Sequence, residues 1–203
     1  HNKSDIGYYK GLGCKDVRVM RTLMLPEGLN SQLTTSEKSG IILGGNFTSW
    51  YSGLDSYLIA QAVDDKITNV SMGRKQPQED LIDDITYLPY MSWRQWIDEC
   101  SKYKVGVHMM RTHAAGTFSM NLSYHSTPCL GYRSLDTQDL LHPQTTMEVG
   151  DIKGASTILK RLYESDNFYQ ECSEQTKELF DKYYTEEAWL EDFKKVNKEF
   201  NNG

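Results

Sequence analysis

The chain has 203 residues, a formal net charge of −6 and a hydrophobic content of 38%. These values are ordinary for a soluble globular domain, and the acidic balance argues against a general binding surface for nucleic acid or anionic membranes. No apolar run approaches the roughly 18 residues that a membrane-spanning helix needs, and the N-terminal residues lack the apolar core of a signal peptide. We therefore expect a cytoplasmic protein with no nucleic-acid partner and no transmembrane segment.

The four cysteines lie far apart, with no C-x-x-C pair among them. This spacing predicts neither a zinc knuckle nor a redox motif. Cys100 and Cys129 have apolar neighbours and are interpreted as buried thiols. Their presence as free thiols favours a reducing compartment.

The first thirty residues predict one helical turn and one strand. The turn is expected at residues 5–12, ahead of Gly13, and the strand at residues 17–25. A strand with no visible partner before it suggests that the chain begins within a larger architecture. We therefore expect residues 1–30 to be the end of an N-terminal domain with its linker, and residues 31–203 to form one further domain.

From residue 39 onward, short apolar runs alternate with segments whose apolar residues recur at helical spacing. The predicted strands cover residues 41–43, 67–72, 85–88, 105–109, 129–131 and 145–149. The predicted helices cover residues 53–65, 92–100, 117–126, 151–162, 168–184 and 188–200. This alternation predicts an α/β fold with a doubly wound, mostly parallel sheet and a helical C-terminus. Four aromatic side chains at helical spacing are assigned to the core: Trp93, Trp96, Trp189 and Phe193.

The stretch at residues 104–132 reads as a strand, a glycine-bearing loop, a helix and a second strand. Gly116 and Thr117 stand where the helix begins. A helix that starts beside a glycine, just past the carboxyl end of a strand, offers free N–H groups and a positive dipole end to an anion. The alternative is one more buried strand–helix pair that binds nothing. His108 and His125 are interpreted as structural residues of this unit.

Six motifs in a fixed order carry a resemblance to a known family: IILGGNFTSWYSGLD, NVSMGRK, ITYLPYMSWRQW, VGVHMM, GTFSMNLSYHSTPCLG and DIKGASTILKRLYES. In this order the chain resembles the C-terminal, donor-binding domain of GT-B glycosyltransferases, above all the retaining group that uses nucleotide sugars. The resemblance covers roughly residues 15–200 and implies a Rossmann-like fold.

The resemblance also implies a site for a nucleotide-sugar donor. The implied phosphate contacts are Gly45, Arg74, Gly116 and Thr117. The implied contacts to the base are Tyr90 and Met91, Asn121 is the implied ribose contact, and His113 would be the catalytic residue beside the transferred sugar. The family acts without metal at this site, so we expect neither a metal nor a cofactor.

This chain departs from the family pattern in two places. The first glycine loop of the family carries a basic pair, whereas here Asn46 follows Gly45 and Ser52 precedes Gly53. The family's two glutamates are replaced by His113 and Asn121. Asn121 keeps an amide oxygen for a ribose hydroxyl but loses the stronger charge-assisted bond. The missing positive charge is expected to come from one of three other cations: Arg74, Lys75 or Arg111.

The implied function is the transfer of a sugar from a nucleoside diphosphate to an acceptor hydroxyl, with this chain as the donor-binding half. The acceptor domain would lie outside this chain, and the chain alone would be inactive. Two alternatives remain open: a non-catalytic module that binds a nucleotide or a protein in the same cleft, and a sugar-nucleotide epimerase. The epimerase normally needs carboxylates in its cleft, and none is visible in these motifs.

Overall fold

A computed structural model describes residues 2–25, 37–70, 74–114 and 116–201. Its strands are β1 (Ile41–Leu43), β2 (Ile67–Asn69), β3 (Ile85–Tyr87), β4 (Val105–His108), β5 (Cys129–Tyr132) and β6 (Thr146–Met147). Its helices are α1 (Asp5–Gly11), α2 (Gly53–Ala60), α3 (Trp93–Cys100), α4 (Thr117–Tyr124), α5 (Asp136–Leu141), α6 (Ile152–Glu164), α7 (Asp166–Tyr183) and α8 (Glu186–Asn201). Short 3-10 turns cover Pro77–Leu81 and Pro143–Thr145.

The six strands form one sheet in the order β3-β2-β1-β4-β5-β6, and every neighbouring pair is parallel. Ile41 of β1 stands opposite Ile67 of β2 on one side and Val105 of β4 on the other. The chain returns to the middle of the sheet after β3 and then builds outward through β4, β5 and β6. The doubly wound parallel sheet predicted from the sequence is therefore confirmed.

The two faces of the sheet carry different apolar side chains, because successive residues of a strand point to opposite faces. Ile41 and Leu43 belong to a buried cluster that includes Leu159 of α6 and side chains of α2. Ile42, between them, belongs to a second cluster with Leu122 of α4. Helices thus cover both faces, as buried parallel strands require.

A buried histidine ties α4 to β5. His142 follows α5 and is 3% exposed. Its Nδ1 accepts a hydrogen bond from the backbone N–H of Cys129 at 3.2 Å, and its Nε2 lies 3.1 Å from the carbonyl oxygen of Ser119 and 2.9 Å from Oγ of Ser123. Since a backbone N–H can only donate, Nδ1 is the acceptor and Nε2 carries the proton.

The predicted strand at residues 17–25 is wrong. The described residues 16–25 form neither helix nor strand. This segment instead packs along the C-terminal helices: Arg21 pairs with Asp192 of α8 at 2.5 Å, and Met24 is 1% exposed in a cluster with Ile97 and Phe180. The alternating apolar residues therefore reflect one side packed against helices, not the pleat of a strand.

Several element ends also differ from the sequence-based expectation. α2 ends at Ala60, five residues before the predicted end, and the N–H groups of Ala62 and Val63 bond three residues back instead of four. The Asp65 side chain accepts from the N–H of Gly40 at 3.0 Å and from the Tyr163 hydroxyl at 2.8 Å. The predicted extension of β2 to residue 72 runs into residues 71–73, which lie outside the described residues. The predicted domain boundary at residue 30 lies outside them as well.

Two aromatic residues assigned to the core lie at the surface. Trp93 is 46% exposed and Phe193 is 45% exposed, because each stands on the outward side of a helix that rests on the domain with its other side. Trp96 is half-buried against Phe118 in a stacked pair, with 6.1 Å between ring centroids. Trp189 is half-buried and stacks on Phe193. None of the described helices is both long and apolar enough to cross a membrane.

Candidate functional site

A cleft of about 470 Å³ opens at the carboxyl ends of β1 and β4. The direction of strand addition reverses between these two neighbouring strands, so their following loops diverge and leave a crevice. Gly44 and Gly45 follow β1 on one side of the cleft, and the start of α4 lies on the other. In sheets of this kind, ligands bind at such a point.

Five of the eight predicted contact residues line this cleft: Gly45, Arg74, Tyr90, Gly116 and Thr117. The other three, Met91, His113 and Asn121, do not belong to its lining. Met91 is half-buried beside Tyr90, and Asn121 is 4% exposed within α4. The contact roles of all eight residues stay predictions, and the geometry favours the phosphate contacts.

The start of α4 presents free backbone groups to the cleft. Gly116 precedes the helix with φ +67°, and among the described residues no side chain accepts a hydrogen bond from its first turn. The first N–H groups of a helix have no partner within the helix, so these groups remain available to an acceptor. With the positive end of the helix dipole, they form a favourable place for a phosphate oxygen.

The loop after β1 is tied to the loop after β2 through Asn46. Its Nδ2 donates to the carbonyl oxygen of Arg74 at 2.7 Å, and its Oδ1 accepts from the N–H of Thr48 at 3.2 Å and from the Thr48 hydroxyl at 2.7 Å. Gly53 begins α2 directly beneath this loop. A Cβ there would lie 2.3 Å from the carbonyl oxygen of Asn46, so only glycine permits this approach.

Of the three candidate cations, Arg74 alone is in the cleft lining. Lys75 pairs with Asp80 at 2.8 Å, and its Nζ lies 4.4 Å from the centre of the Tyr87 ring. Arg111 pairs with Asp55 at 2.6 Å. Across the described ranges, no carboxylate pairs with the guanidinium of Arg74, and no carboxylate lines the cleft. The cleft therefore carries an uncompensated positive charge.

His113 makes its contacts with the N-terminal helix. Its Nδ1 lies 2.9 Å from Oδ1 of Asp5 and 3.1 Å from Oγ of Ser4. The hydrogen bond from His113 lowers the pKa of the Asp5 carboxyl. Asn2 reinforces the contact, since its Nδ2 donates to the carbonyl oxygen of Ala114 at 2.7 Å. Residues 2–5 therefore hold the loop that leads into α4, a role that nothing in their sequence predicted.

His108 is a cleft residue that the sequence analysis treated as structural. It ends β4, is 7% exposed, and lies in the cleft lining against Phe118, with 5.0 Å between ring centroids. Burial lowers its pKa to about 4, so the ring is neutral near pH 7. The sequence did contain a signal that His108 could face a ligand cleft, because it is the last residue of a central strand.

His125, by contrast, is structural as predicted: its Nε2 donates to the carbonyl oxygen of Ile97 at 2.7 Å.

The described part of the chain holds no group of three or more histidine, cysteine, aspartate or glutamate side chains placed to bind a metal. Cys100, Cys129 and Cys172 are buried free thiols, and Cys14 is exposed. Burial raises the pKa of the Cys100 and Cys129 thiols. These cysteines therefore serve as apolar core residues.

No protein-family model matches the sequence, and neither does any curated protein. Solved structures do match the fold. A mutant of Staphylococcus aureus TarM, in complex with fondaparinux, α-GlcNAc-glycerol and UDP, has a TM-score of 0.72 at 10% identity; the match covers 96% of this chain and 42% of that one. Sucrose-phosphate synthase from Thermosynechococcus elongatus has a TM-score of 0.66 at 14% identity over 84% of this chain and 47% of that one.

A third match is the isolated C-terminal domain of a group 1 family glycosyltransferase (LpcC) from Francisella tularensis. Its TM-score is 0.58 at 11% identity, with 73% of this chain and 87% of that chain covered. This chain thus spans less than half of the two longer proteins and most of the isolated domain. Together with the sheet order and the cleft, these matches show that the chain has the fold of the C-terminal domain of GT-B glycosyltransferases.

Proposed function

We propose that this chain is the donor-binding half of a GT-B glycosyltransferase and binds a nucleoside diphosphate sugar in the cleft between β1 and β4. One observation carries the proposal. The uncapped start of α4 and the unpaired guanidinium of Arg74 line the same cleft, and no described carboxylate lines it. Two sources of positive potential with no local compensation favour a ligand with more than one negative charge, such as a diphosphate.

The same geometry suggests how transfer would be assisted. When the bond between sugar and diphosphate breaks, negative charge builds on the leaving diphosphate. The N–H groups at Gly116 and Thr117 would stabilise that charge without reorganising, because the helix start holds them in place, and the guanidinium of Arg74 would add its positive charge. Tyr90 is 84% exposed at the rim of the cleft and can cover a base once one is bound.

The residues proposed to contact the sugar and the ribose, His113 and Asn121, are not among the residues that line the cleft. His113 precedes Ala114, which lines the cleft, but its ring bonds to Asp5. A sugar hydroxyl would have to compete with that carboxylate for the imidazole. Support for the ligand class comes from TarM, whose structure contains UDP. The acceptor site is proposed to lie on a domain outside this chain.

Nucleotide binding provides the test. Titration of the chain with UDP, GDP and ADP should raise the melting temperature with one of them, since a ligand at 100 times its dissociation constant stabilises the folded state by about 2.7 kcal/mol. Arg74→Ala should abolish most of the shift, because it removes the only unpaired cation among the described lining residues.

Arg133→Ala is the matched control, since Arg133 pairs with Glu148 at 2.9 Å and is not in the cleft lining. It removes the same charge from the chain and should leave the nucleotide-induced shift intact. If none of the three nucleotides raises the melting temperature at millimolar concentration, the proposed function is wrong.

A second candidate, a non-catalytic nucleotide-binding module, is favoured by a specific observation. His113 and Asn121 replace the two glutamates of the resembling family, and neither lines the cleft. The two candidates differ in turnover. A transferase joined to its acceptor half should release UDP from UDP-sugar, whereas the module would bind UDP without releasing it from the sugar. The epimerase alternative finds no support, because no carboxylate of the described residues lines the cleft.

A further inference from the structure

Among the described residues, three hydrogen bonds that involve side chains join the loop after β1 to β2 and the segment that follows it. Besides the bond from Asn46 to the carbonyl oxygen of Arg74, Nδ2 of Asn69 donates to the carbonyl oxygen of Gly45 at 3.0 Å, and the N–H of Phe47 donates to Oε2 of Glu79 at 3.2 Å. The last two bonds start or end at residues away from position 74, namely Asn69 of β2 and Glu79. In the described part of the chain, only the bond from Asn46 holds the backbone of Arg74 itself to the loop after β1.

The orientation of the Asn46 amide is fixed by its neighbours. The N–H of Thr48 can only donate, so the atom it contacts must be the amide oxygen, and the NH2 group must face the carbonyl oxygen of Arg74. Asn46 is 6% exposed, and a buried amide is held firmly when each of its groups has a partner. The carbonyl oxygen of Arg74 also accepts from Nε2 of Gln76, at 3.2 Å and in an exposed position.

The loop at residues 44–52 contains no lysine or arginine. Any cation that contacts a ligand phosphate on this side of the cleft must therefore come from the neighbouring loop, and Arg74 is the one that lines the cleft in the described part of the chain. Its neighbour Lys75 is turned to Asp80 and Tyr87.

We propose that Asn46 is a positioning residue: it holds the backbone of residue 74 so that the Arg74 guanidinium, and not the Lys75 ammonium, faces the cleft and binds the diphosphate. This inference rests on the proposed function. Asn46 also lines the cleft, so the test has to separate an effect that passes through Arg74 from the loss of a direct contact with the ligand.

A double-mutant cycle tests the inference. The dissociation constant of the nucleotide that binds best among UDP, GDP and ADP is measured by calorimetry for the unsubstituted chain, Asn46→Ala, Arg74→Ala and the double variant. Arg74→Ala should weaken binding at least about tenfold. Asn46→Ala should weaken it about fivefold when Arg74 is present and less than about twofold when Arg74 is already alanine, because the two residues act as one unit.

Salt dependence gives a readout that a purely structural role would not move. Asn46 is uncharged, yet Asn46→Ala should reduce the loss of affinity between low and high salt, as Arg74→Ala does, since both withdraw the same cation from the ligand. Lys75→Ala is the matched control and should change affinity less than about twofold, because Lys75 already pairs with Asp80. Melting temperatures of the free variants check folding, and Asn46→Ser, too short to reach the carbonyl oxygen, replaces Asn46→Ala if that variant unfolds.

The outcomes separate the two proposals. Additive effects of Asn46→Ala and Arg74→Ala, or an unchanged salt dependence in Asn46→Ala, would overturn the positioning role while leaving nucleotide binding in place. An equal loss in Lys75→Ala and Arg74→Ala would overturn it as well. Absence of binding to the unsubstituted chain overturns the proposed function and this inference together.

Discussion

The free energy of unfolding should fall steeply as the pH is lowered from about 6.5 to about 4. Three buried histidines, His108, His125 and His142, each have a pKa lowered to about 4, with burial as the largest cause. In the unfolded chain the same side chains take up protons near their ordinary pKa of about 6.5. Between these two values the unfolded state binds more protons than the folded state, so stability decreases as the pH decreases.

Hydrogen bonding explains why the folded state resists these protons. Nδ1 of His142 accepts a hydrogen bond from the Cys129 N–H. Protonation of Nδ1 would break that bond and place two N–H groups opposite each other. His125 has its Nδ1 buried without a partner, and the ammonium of Lys38 bonds to the carbonyl oxygen of the same residue. Nδ1 of His108 is likewise buried without a partner. A proton added at Nδ1 of His125 would be a buried donor without an acceptor among the described residues.

The expected magnitude is large. A difference of about 2.5 between the unfolded and folded pKa corresponds to about 3.5 kcal/mol for each histidine, at about 1.4 kcal/mol per pKa unit. Three such groups approach the whole stability of a typical domain, which is about 5–15 kcal/mol. Urea unfolding followed by circular dichroism at pH 7.5, 6.0, 5.0 and 4.5 measures the effect. We expect the urea midpoint to fall at every step, with the folded state lost before about pH 4.

His142→Gln isolates one contribution. The glutamine amide retains a donor and an acceptor but takes up no proton, so the variant should lose some stability at pH 7.5 and about a third of the pH dependence. The same logic applies to His125→Gln. A free energy of unfolding that stays constant between pH 7.5 and pH 5 in the unsubstituted chain would contradict the prediction.

The sheet could be predicted because the sequence pattern of each strand is local and the same pattern repeats along the chain. Each strand is a short apolar run such as Ile41–Leu43, and each is followed by a segment with helical spacing. Parallel pairing then follows from the alternation alone. The strand predicted at residues 17–25 was wrong, because a strand and an extended segment packed on helices both place apolar residues on one side. Only the partner distinguishes them, and Arg21 finds its partner in α8, about 170 residues later in the chain.

The site could be predicted in part for a similar reason. Gly45 lies just after β1, and Gly116 and Thr117 begin the helix that follows β4; in a doubly wound sheet the loops after neighbouring central strands meet at one cleft. The contacts of His113 with Asp5, and of Asn46 with Arg74, join residues from separate loops whose spacing in the sequence carries no signal. The choice among Arg74, Lys75 and Arg111 depended on which carboxylates reach them, and that depends on side-chain placement in the folded state.

Gly116→Ala should be among the most destabilising glycine-to-alanine substitutions in the domain. Gly116 has φ +67°, a region that costs residues with a Cβ about 1–2 kcal/mol. An added Cβ would also lie 1.7 Å from Oγ1 of Thr137 on α5, which is 4% exposed and cannot swing aside freely. Overpacking of this kind typically costs about 1–3 kcal/mol more. We expect a total loss of about 2–5 kcal/mol in urea unfolding.

Two further variants separate the steric cost from the conformational cost. Gly150→Ala has φ +89° but no atom within 4 Å of the added Cβ, so it should lose only the conformational part, about 1 kcal/mol. In Gly116→Ala/Thr137→Ala the clashing hydroxyl is gone, so the double variant should be more stable than the sum of the single losses predicts. If Gly116→Ala and Gly150→Ala lose the same free energy of unfolding, then α5 moves away from the added Cβ with no measurable loss of stability, and the steric part of the prediction is wrong.

The same substitution connects stability to the proposed ligand. Gly116 sets the position of the first turn of α4, whose free N–H groups face the cleft. If α4 shifts to relieve the clash with Thr137, those groups move away from the place where a diphosphate would bind. Nucleotide affinity should therefore drop in Gly116→Ala and recover in part when Thr137 is also alanine. Gly150→Ala, which is not in the cleft lining, should leave the affinity unchanged. An unaltered affinity in Gly116→Ala would show that the start of α4 does not hold the phosphate groups, even if the chain binds the nucleotide by other means.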